Sequence, residues 1–101
     1  FRGAEADVKE KLRVYLPSFA DCSPVADLGC GRGEFLDLLR EAGVEGIGVE
    51  SNPELAAIVR AKGHRAVCED LVAFLAEQQP ESLGGIFCAH VIEHLPAEVL
   101  L

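Results

Sequence analysis

The chain has 101 residues, half of them hydrophobic, so its length and composition suit a single domain with a real core. Its 17 acidic and 9 basic residues give a formal net charge of -8, whereas proteins that bind nucleic acid or an anionic membrane typically carry an excess of positive charge. No apolar run approaches the roughly 20 residues of a membrane span, and the first residues do not form a signal peptide. Composition therefore predicts a folded domain with no membrane span and gives no indication of nucleic acid as a partner.

The four cysteines, Cys22, Cys30, Cys68 and Cys88, lie far apart, and no two of them form a C-x-x-C pair. Three of them stand in or beside apolar, strand-like segments. This pattern favours buried free thiols over a disulfide framework or a metal site. We therefore expect a reducing, cytoplasmic setting.

The first predicted element is an amphipathic helix from Ala4 to Phe19 that ends near Pro17. The sequence starts at Phe1 and contains no methionine, and a helical pattern is still running at Leu101. We therefore expect the chain to be part of a longer protein.

Strand-like and helical patterns alternate after the first helix. The predicted strands are Val25–Leu28, Gly46–Glu50, Arg65–Cys68 and Gly85–Ala89. The helices between them are one closed by Gly43, one that runs from Pro53 to Ala61 and one from Asp70 to Gln78, and Pro96 opens a last helix. This alternation predicts right-handed β-α-β units and a parallel sheet.

Three alternating glycines, Gly29, Gly31 and Gly33, follow the first strand and precede a helix. Because glycine has no Cβ and tolerates positive φ angles, a turn of this composition can press its main chain against a ligand. Glu34 stands where a dinucleotide-binding G-x-G-x-x-G fingerprint has its third glycine, and no G-K-[ST] follows, as a phosphate-binding loop would require. The spacing thus predicts a nucleotide-type site but disfavours a nicotinamide dinucleotide.

Acidic residues accompany the ends of the first three strands. Glu50 ends the second strand, 21 residues after Gly29, where a carboxylate can accept hydrogen bonds from ribose hydroxyls. The alternative for Glu50 is a solvated carboxylate at a strand end. Asp27 within the first strand and Asp70 after the third strengthen the nucleotide-site interpretation, since ligands bind at the carboxyl ends of parallel strands.

These residues resemble the class I, Rossmann-like methyltransferases that use S-adenosylmethionine (SAM). Val25–Phe35 is similar to their glycine motif and Gly48–Glu50 to their ribose-binding strand end. The resemblance implies an α/β fold, a Rossmann-like parallel sheet flanked by helices and truncated here after the fourth strand. It also implies SAM as the cofactor, with Asp27 supporting the turn and the ammonium group of SAM.

The resemblance implies further cofactor-binding residues. Gly29 and Gly31 would line the methionine part of SAM, and Glu50 would hold the ribose. Asp70 and Leu71 would meet the adenine.

A narrower resemblance links Phe1-Arg2-Gly3 and Tyr15-Leu16-Pro17 to bacterial methyltransferases associated with surface-polysaccharide synthesis. It implies that residues 1–20 form a lid-like helix within a single domain of residues 1–101. The acceptor would then be a small molecule or a saccharide.

The segment from His90 to His94 follows the fourth strand, where the transferable methyl group would lie in this family. His90 could act as a general base, because histidine titrates near neutral pH. A weaker alternative is a metal site formed by His90, Glu93 and His94, since some O-methyltransferases of the small-RNA and ubiquinone pathways have a similar E-x-x-E-H pattern. Here His90 replaces the first glutamate, so we expect no metal, and Glu93 and His94 instead cap the last helix.

The predicted function is methyl transfer from SAM to an unidentified acceptor by direct displacement. The alternative is a non-catalytic cofactor-binding or interaction module with a truncated or degenerate methyltransferase fold. The fourth strand, around Ile86-Phe87-Cys88, is also predicted to offer an exposed edge for self-association.

Overall fold

A computed structural model of the chain describes residues 2–79 and 82–88, with side chains from residue 6 onward. The elements are α1 (Arg2–Leu12), a 3₁₀ helix (Arg13–Phe19), β1 (Val25–Leu28), α2 (Glu34–Glu41), β2 (Gly46–Glu50), α3 (Pro53–Ala61), β3 (Arg65–Cys68), α4 (Leu71–Glu77) and β4 (Gly85–Phe87). Among these helices, none is both long enough and apolar enough to cross a bilayer.

Local signals set most of these boundaries, and β1, β2, β3 and α3 begin and end at the predicted residues. At the start of α3, the Asn52 side chain accepts hydrogen bonds from the N–H groups of Glu54 (2.9 Å) and Leu55 (3.3 Å). Pro53 occupies the first turn, where its missing N–H has no helical partner to lose. The cap and the proline together fix the residue at which the helix begins.

The prediction of one α-helix from Ala4 to Phe19 is wrong in its second half. The α-helix ends at Leu12, and a 3₁₀ helix continues from Arg13 to Phe19. Pro17 lies within this second segment. In an α-helix its ring would clash with the carbonyl group of Arg13, four residues earlier, and its missing N–H could not bond that carbonyl. The helix type therefore changes at the residue that Pro17 would obstruct.

All described strand pairs are parallel, and the strand order is β3-β2-β1-β4. The predicted parallel α/β sheet is thus confirmed. β1 lies between β2 and β4, and Asp27 is in register with Gly48 on one side and Phe87 on the other. The order reverses next to β1, which is where open sheets of this type bind ligands.

The fourth strand is shorter than predicted. It ends at Phe87, and Cys88 is outside the strand. β4 ends here because its neighbour β1 offers no further pairing positions. After β1 the N–H of Gly29 donates to the carbonyl oxygen of Val49 on β2 (2.7 Å), on the side away from β4. The last predicted strand residue, Ala89, lies outside the described residues.

Two glycines in β2 allow α2 to pack close to the sheet. A Cβ at Gly48 would lie 2.7 Å from Sγ of Cys30 and 2.8 Å from a methyl group of Leu36, and one at Gly46 would lie 2.8 Å from Leu36. The side chains of Leu36, Leu38 and Leu39 are almost completely buried in this layer. Close packing of α2 on β2 holds the preceding glycine turn against the end of the same strand.

A charged cluster joins α1, α2 and the turn after α3. The carboxylate of Asp37 accepts hydrogen bonds from Nζ of Lys62 (3.1 Å) and contacts Nε2 of His64 (2.6 Å) and Nζ of Lys9 (2.9 Å). The Asp37 side chain is only 10% exposed and that of His64 only 6%. Three separate segments therefore meet at one buried carboxylate, and Asp37 holds α1 and the turn after α3 against α2.

Candidate functional site

A cleft of about 370 Å³ lies at the carboxyl ends of the central strands. Its walls come from the turn after β1, the end of β2 with the loop that follows it, and the end of β3 with the start of α4. The lining residues are Gly29, Gly31, Val49, Glu50, Ser51, Leu55, Glu69, Asp70 and Leu71. Five of the six predicted cofactor-binding residues therefore line one cleft.

The turn from Gly29 to Gly33 forms one wall of the cleft with its main chain. Its three glycines have φ angles of 69°, 58° and 83°, which side chains other than glycine adopt only with strain. The N–H groups of Gly29 and Cys30 both donate to the carbonyl oxygen of Val49, at 2.7 and 3.2 Å. The turn is thus fixed to the end of β2, with its backbone facing the space that a ligand would occupy.

Glu50 ties the two sides of the cleft together. Its side chain is buried, Oε1 accepts a hydrogen bond from the N–H of Gly31 (2.9 Å), and Oε2 accepts one from the N–H of Asn52 (3.0 Å). A carboxylate oxygen can accept more than one hydrogen bond, so each retains capacity for a ligand hydroxyl. Glu50 therefore shapes the turn and offers acceptors to the cleft at the same time.

Asp70 caps α4 with one of its two carboxylate oxygens. Oδ2 accepts hydrogen bonds from the N–H groups of Val72 (3.0 Å) and Ala73 (3.1 Å). The cap does not use Oδ1, and the N–H of Leu71 belongs to the first turn of the helix, where it has no intrahelical acceptor. This end of the cleft therefore includes one acceptor and one donor that the helix does not use.

Asp27 lies behind the turn and does not line the cleft. Its side chain is 2% exposed, and burial raises its pKa well above the usual value, with the charges of Glu34 and Glu50 adding to the rise. Glu34 is the first residue of α2 and is 7% exposed. In the sequence, Glu34 disfavours a dinucleotide fingerprint, and its position directly after the third glycine is the signal that predicts a place next to the turn.

The cysteines near the site are not suited to act as nucleophiles. Cys30 is 1% exposed, and burial together with the charges of Asp27 and Glu50 raises its pKa to about 12. Burial, helped by the charge of Asp27, also raises the pKa of Cys88. Since the thiolate is the reactive form, neither residue provides a nucleophile near neutral pH.

The residues predicted beyond β4 are not placed by the structure. His90, Glu93 and His94 lie outside the described residues, so the general-base and metal-site predictions are untested. Among the described side chains, those of residues 6–79 and 82–88, no group of three histidine, cysteine or acidic residues has the arrangement of a metal site. No described residue of α1 or the 3₁₀ helix lines the cleft, and the lid-like role of residues 1–20 stays a prediction.

A second cleft of similar volume lies at the opposite, amino ends of β2 and β3. One of its walls is the Arg40 side chain, which donates a hydrogen bond to the carbonyl oxygen of Lys62 (2.8 Å) at the end of α3. A cationic side chain at this place satisfies a terminal carbonyl group and complements the helix dipole. A structural role therefore accounts for Arg40, and the first cleft is the candidate site.

A family model for a methyltransferase domain matches residues 2–99. The chain belongs to this methyltransferase-domain family. Its structure is similar to that of a SAM-dependent methyltransferase from Archaeoglobus fulgidus, with a TM-score of 0.86 and 41% identity over 99% of this chain and 45% of that one. The family and the strand topology together identify the sheet as the Rossmann-like sheet of these enzymes.

Other similar proteins carry more specific descriptions. A ubiquinone biosynthesis O-methyltransferase from Idiomarina loihiensis is 31% identical over 71% of this chain and 32% of its own length. An amino pentose methyltransferase from Micromonospora echinaspora, solved with SAM bound, is 25% identical over 85% of this chain and 35% of its own, with a TM-score of 0.57. The chain thus spans about a third of the curated relative and less than half of either solved structure.

Proposed function

We propose that this chain binds SAM and takes part in methyl transfer to a small-molecule acceptor. The order of binding groups along the sheet carries the proposal. Asp70 and Leu71 stand at β3, Glu50 at β2 and the glycine turn at β1, and these strands are neighbours in that order. Neighbouring strands are about 4.8 Å apart, so an extended cofactor with adenine, ribose and methionine parts can meet one strand end with each part.

The hydrogen-bonding groups suit the first two parts of SAM. The Watson–Crick edge of adenine carries an amino donor beside a ring-nitrogen acceptor, which complements Oδ1 of Asp70 and the N–H of Leu71. The carboxylate of Glu50 can accept from both ribose hydroxyls while retaining its bonds to Gly31 and Asn52. Together these groups would orient the cofactor along the cleft.

SAM supplies an electrophilic methyl group on a sulfonium, and the protein must place an acceptor in line with it. With the methionine part at β1, the methyl group would lie toward the end of β4, the next strand in the sheet. His90 follows β4 in sequence and stays the predicted general base. The alternative, a non-catalytic cofactor-binding module, differs from an enzyme in that it would bind SAM without transferring the methyl group.

The acceptor is proposed only by class. The relatives are described as acting in ubiquinone biosynthesis and on an amino pentose, which supports a small-molecule acceptor without selecting one. The saccharide acceptor, the surface-polysaccharide type and self-association through the edge of β4 stay predictions. A cytoplasmic location is supported by the free thiols of Cys22, Cys30, Cys68 and Cys88.

Calorimetric titration with SAM tests the proposal. We expect one SAM per chain and loss of the binding heat in Glu50→Ala and Asp27→Ala. Circular dichroism of each variant checks that it is folded. A folded, unmutated chain that gives no binding heat with SAM or with S-adenosylhomocysteine would refute the cofactor assignment.

Asp70→Asn separates the capping role of Asp70 from its proposed contact with adenine. Asparagine is an equally good helix cap, so the free energy of unfolding should change by less than about 0.5 kcal/mol. If its amide oxygen keeps the cap, its NH₂ group faces the adenine amino group, so SAM affinity should fall by about tenfold. Thermal unfolding and SAM titration measure the two effects, and an unchanged affinity would contradict the adenine contact.

A further inference from the structure

The two clefts at opposite ends of the sheet differ in the charge of their walls. Several acidic residues line the first cleft, and none of the described residues that line it is lysine, arginine or histidine. The titratable residues that line the second cleft are Arg40, Glu45, His64 and Arg65. In a chain with a formal net charge of -8, two arginines against one carboxylate form a local excess of positive charge, which favours an anionic ligand.

Most N–H donors of the two arginines are not used within the described part of the chain. Arg65 is exposed and forms no hydrogen bond or ion pair with another described residue. Arg40 donates from Nη1 to the carbonyl oxygen of Lys62, and its Nη2 lies 3.8 Å from Oδ1 of Asp37. Because a guanidinium has five N–H donors, Arg40 retains donors for a ligand while it keeps these contacts.

His64 offers a third polar group, and Asp37 holds it in place. Nε2 of His64 lies 2.6 Å from Oδ1 of Asp37, and this contact fixes the orientation of the ring. Nδ1 has no partner among the described residues, in which no buried side-chain nitrogen or oxygen lacks a partner. Nδ1 is therefore accessible, and the cleft that His64 lines is where a ligand can reach it. The negative charge of Asp37 is itself compensated by Lys9 and Lys62.

These groups suit a phosphate better than a carboxylate. Nδ1 of a neutral histidine accepts a hydrogen bond when Nε2–H donates to Asp37, whereas Nδ1 of a charged histidine donates one. A phosphate group has a second pKa of about 6, so it carries both protonated and ionised oxygens near neutral pH, while an ionised carboxylate only accepts. Its tetrahedral oxygens can also meet donors from three separate side chains, and arginine binds phosphate with two parallel hydrogen bonds.

We propose that the second cleft binds the phosphate group of a small molecule, with Arg40 and Arg65 as charged donors and His64 as the third hydrogen-bonding group. The cleft volume of about 370 Å³ leaves room for a small organic group on the phosphate. The site lies at the opposite end of the sheet from the proposed SAM site, so both ligands bind at the same time.

NMR titration of the ¹⁵N-labelled chain tests the proposal at constant ionic strength. The probes are inorganic phosphate and glycerol 3-phosphate, each added with and without S-adenosylhomocysteine. Arg65→Gln removes one exposed positive charge from the cleft, and the control Lys11→Gln removes one from an exposed position on α1. Circular dichroism checks that both variants are folded.

We expect saturable shifts in the N–H signals of residues 63–65, which line the cleft, and glycerol 3-phosphate should bind at least as tightly as inorganic phosphate. Arg65→Gln should bind both probes about tenfold more weakly, and Lys11→Gln should stay within about twofold of the unmutated chain. Shifts that do not saturate, an unchanged affinity in Arg65→Gln or an equal loss in both variants would overturn the site, because a non-specific charge effect gives those patterns.

Two further outcomes would contradict the assignment. Binding of inorganic phosphate alone would overturn the small-molecule ligand. Loss of phosphate binding when S-adenosylhomocysteine is added would place the phosphate in the first cleft and overturn the second site. Failure of the chain to bind S-adenosylhomocysteine would refute the proposed function and leave the expected phosphate shifts unchanged.

Discussion

Replacing Glu50 with glutamine should weaken SAM binding by about a hundredfold, or about 3 kcal/mol. Both oxygens of Glu50 accept backbone hydrogen bonds, from Gly31 at 2.9 Å and Asn52 at 3.0 Å. Glutamine has only one acceptor oxygen, so its NH₂ group must face one of these two N–H donors. The variant therefore loosens either the glycine turn or the loop after β2, and it also loses a charged acceptor for the ribose.

Calorimetric titration of folded Glu50→Gln with SAM measures this effect. The control is Glu45→Gln, which makes the same change at an exposed position just before the opposite end of β2. Glu45→Gln should bind SAM within about twofold of the unmutated chain, because an exposed charge at that distance is strongly screened. An affinity of Glu50→Gln that equals that of the control would show that Glu50 only terminates a strand, the alternative that the sequence left open.

The sequence predicts much of this fold because its signals are local. Asn52 and Pro53 determine where α3 begins, and glycines at 43 and 63 adopt the positive φ angles that end α2 and α3. The change of helix type at Arg13 is harder to predict, since it arises from a clash between Pro17 and a carbonyl group four residues earlier. Hydrophobic periodicity alone does not distinguish the two helix types when the same residues face the core.

The candidate site was predictable to the extent that its residues follow strands. Glu50 is the last residue of β2 and Asp70 is the second residue after β3, and parallel strands bring such positions to one edge. The charged cluster around Asp37 depends on its long-range contacts with Lys9, Lys62 and His64, which no sequence spacing encodes.

Disrupting the charged cluster around Asp37 should cause the largest loss of stability. Asp37→Asn should lower the free energy of unfolding by about 3 kcal/mol and the Tm by at least about 10 °C. Asparagine keeps the shape of the side chain, so no cavity forms, but its NH₂ group faces cationic donors that lose a buried anion. Thermal unfolding and urea denaturation measure the loss. Glu41→Gln is the control, because Glu41 lies on the same helix and its ion pair with Arg13, at 3.8 Å, is exposed.

The same variant has an expected pH dependence. Burial would raise the pKa of Asp37, but the hydrogen bonds from His64, Lys9 and Lys62 outweigh it and hold the pKa below its ordinary value of 3.8. A lowered pKa in the folded state adds stability above the ordinary value, and that stability disappears as the pH falls through the folded-state pKa. The difference between the unmutated chain and Asp37→Asn should therefore shrink as the pH falls below about 4. A difference that stayed constant down to about pH 3 would mean that packing, and not the charge of Asp37, holds α1, α2 and the turn after α3 together.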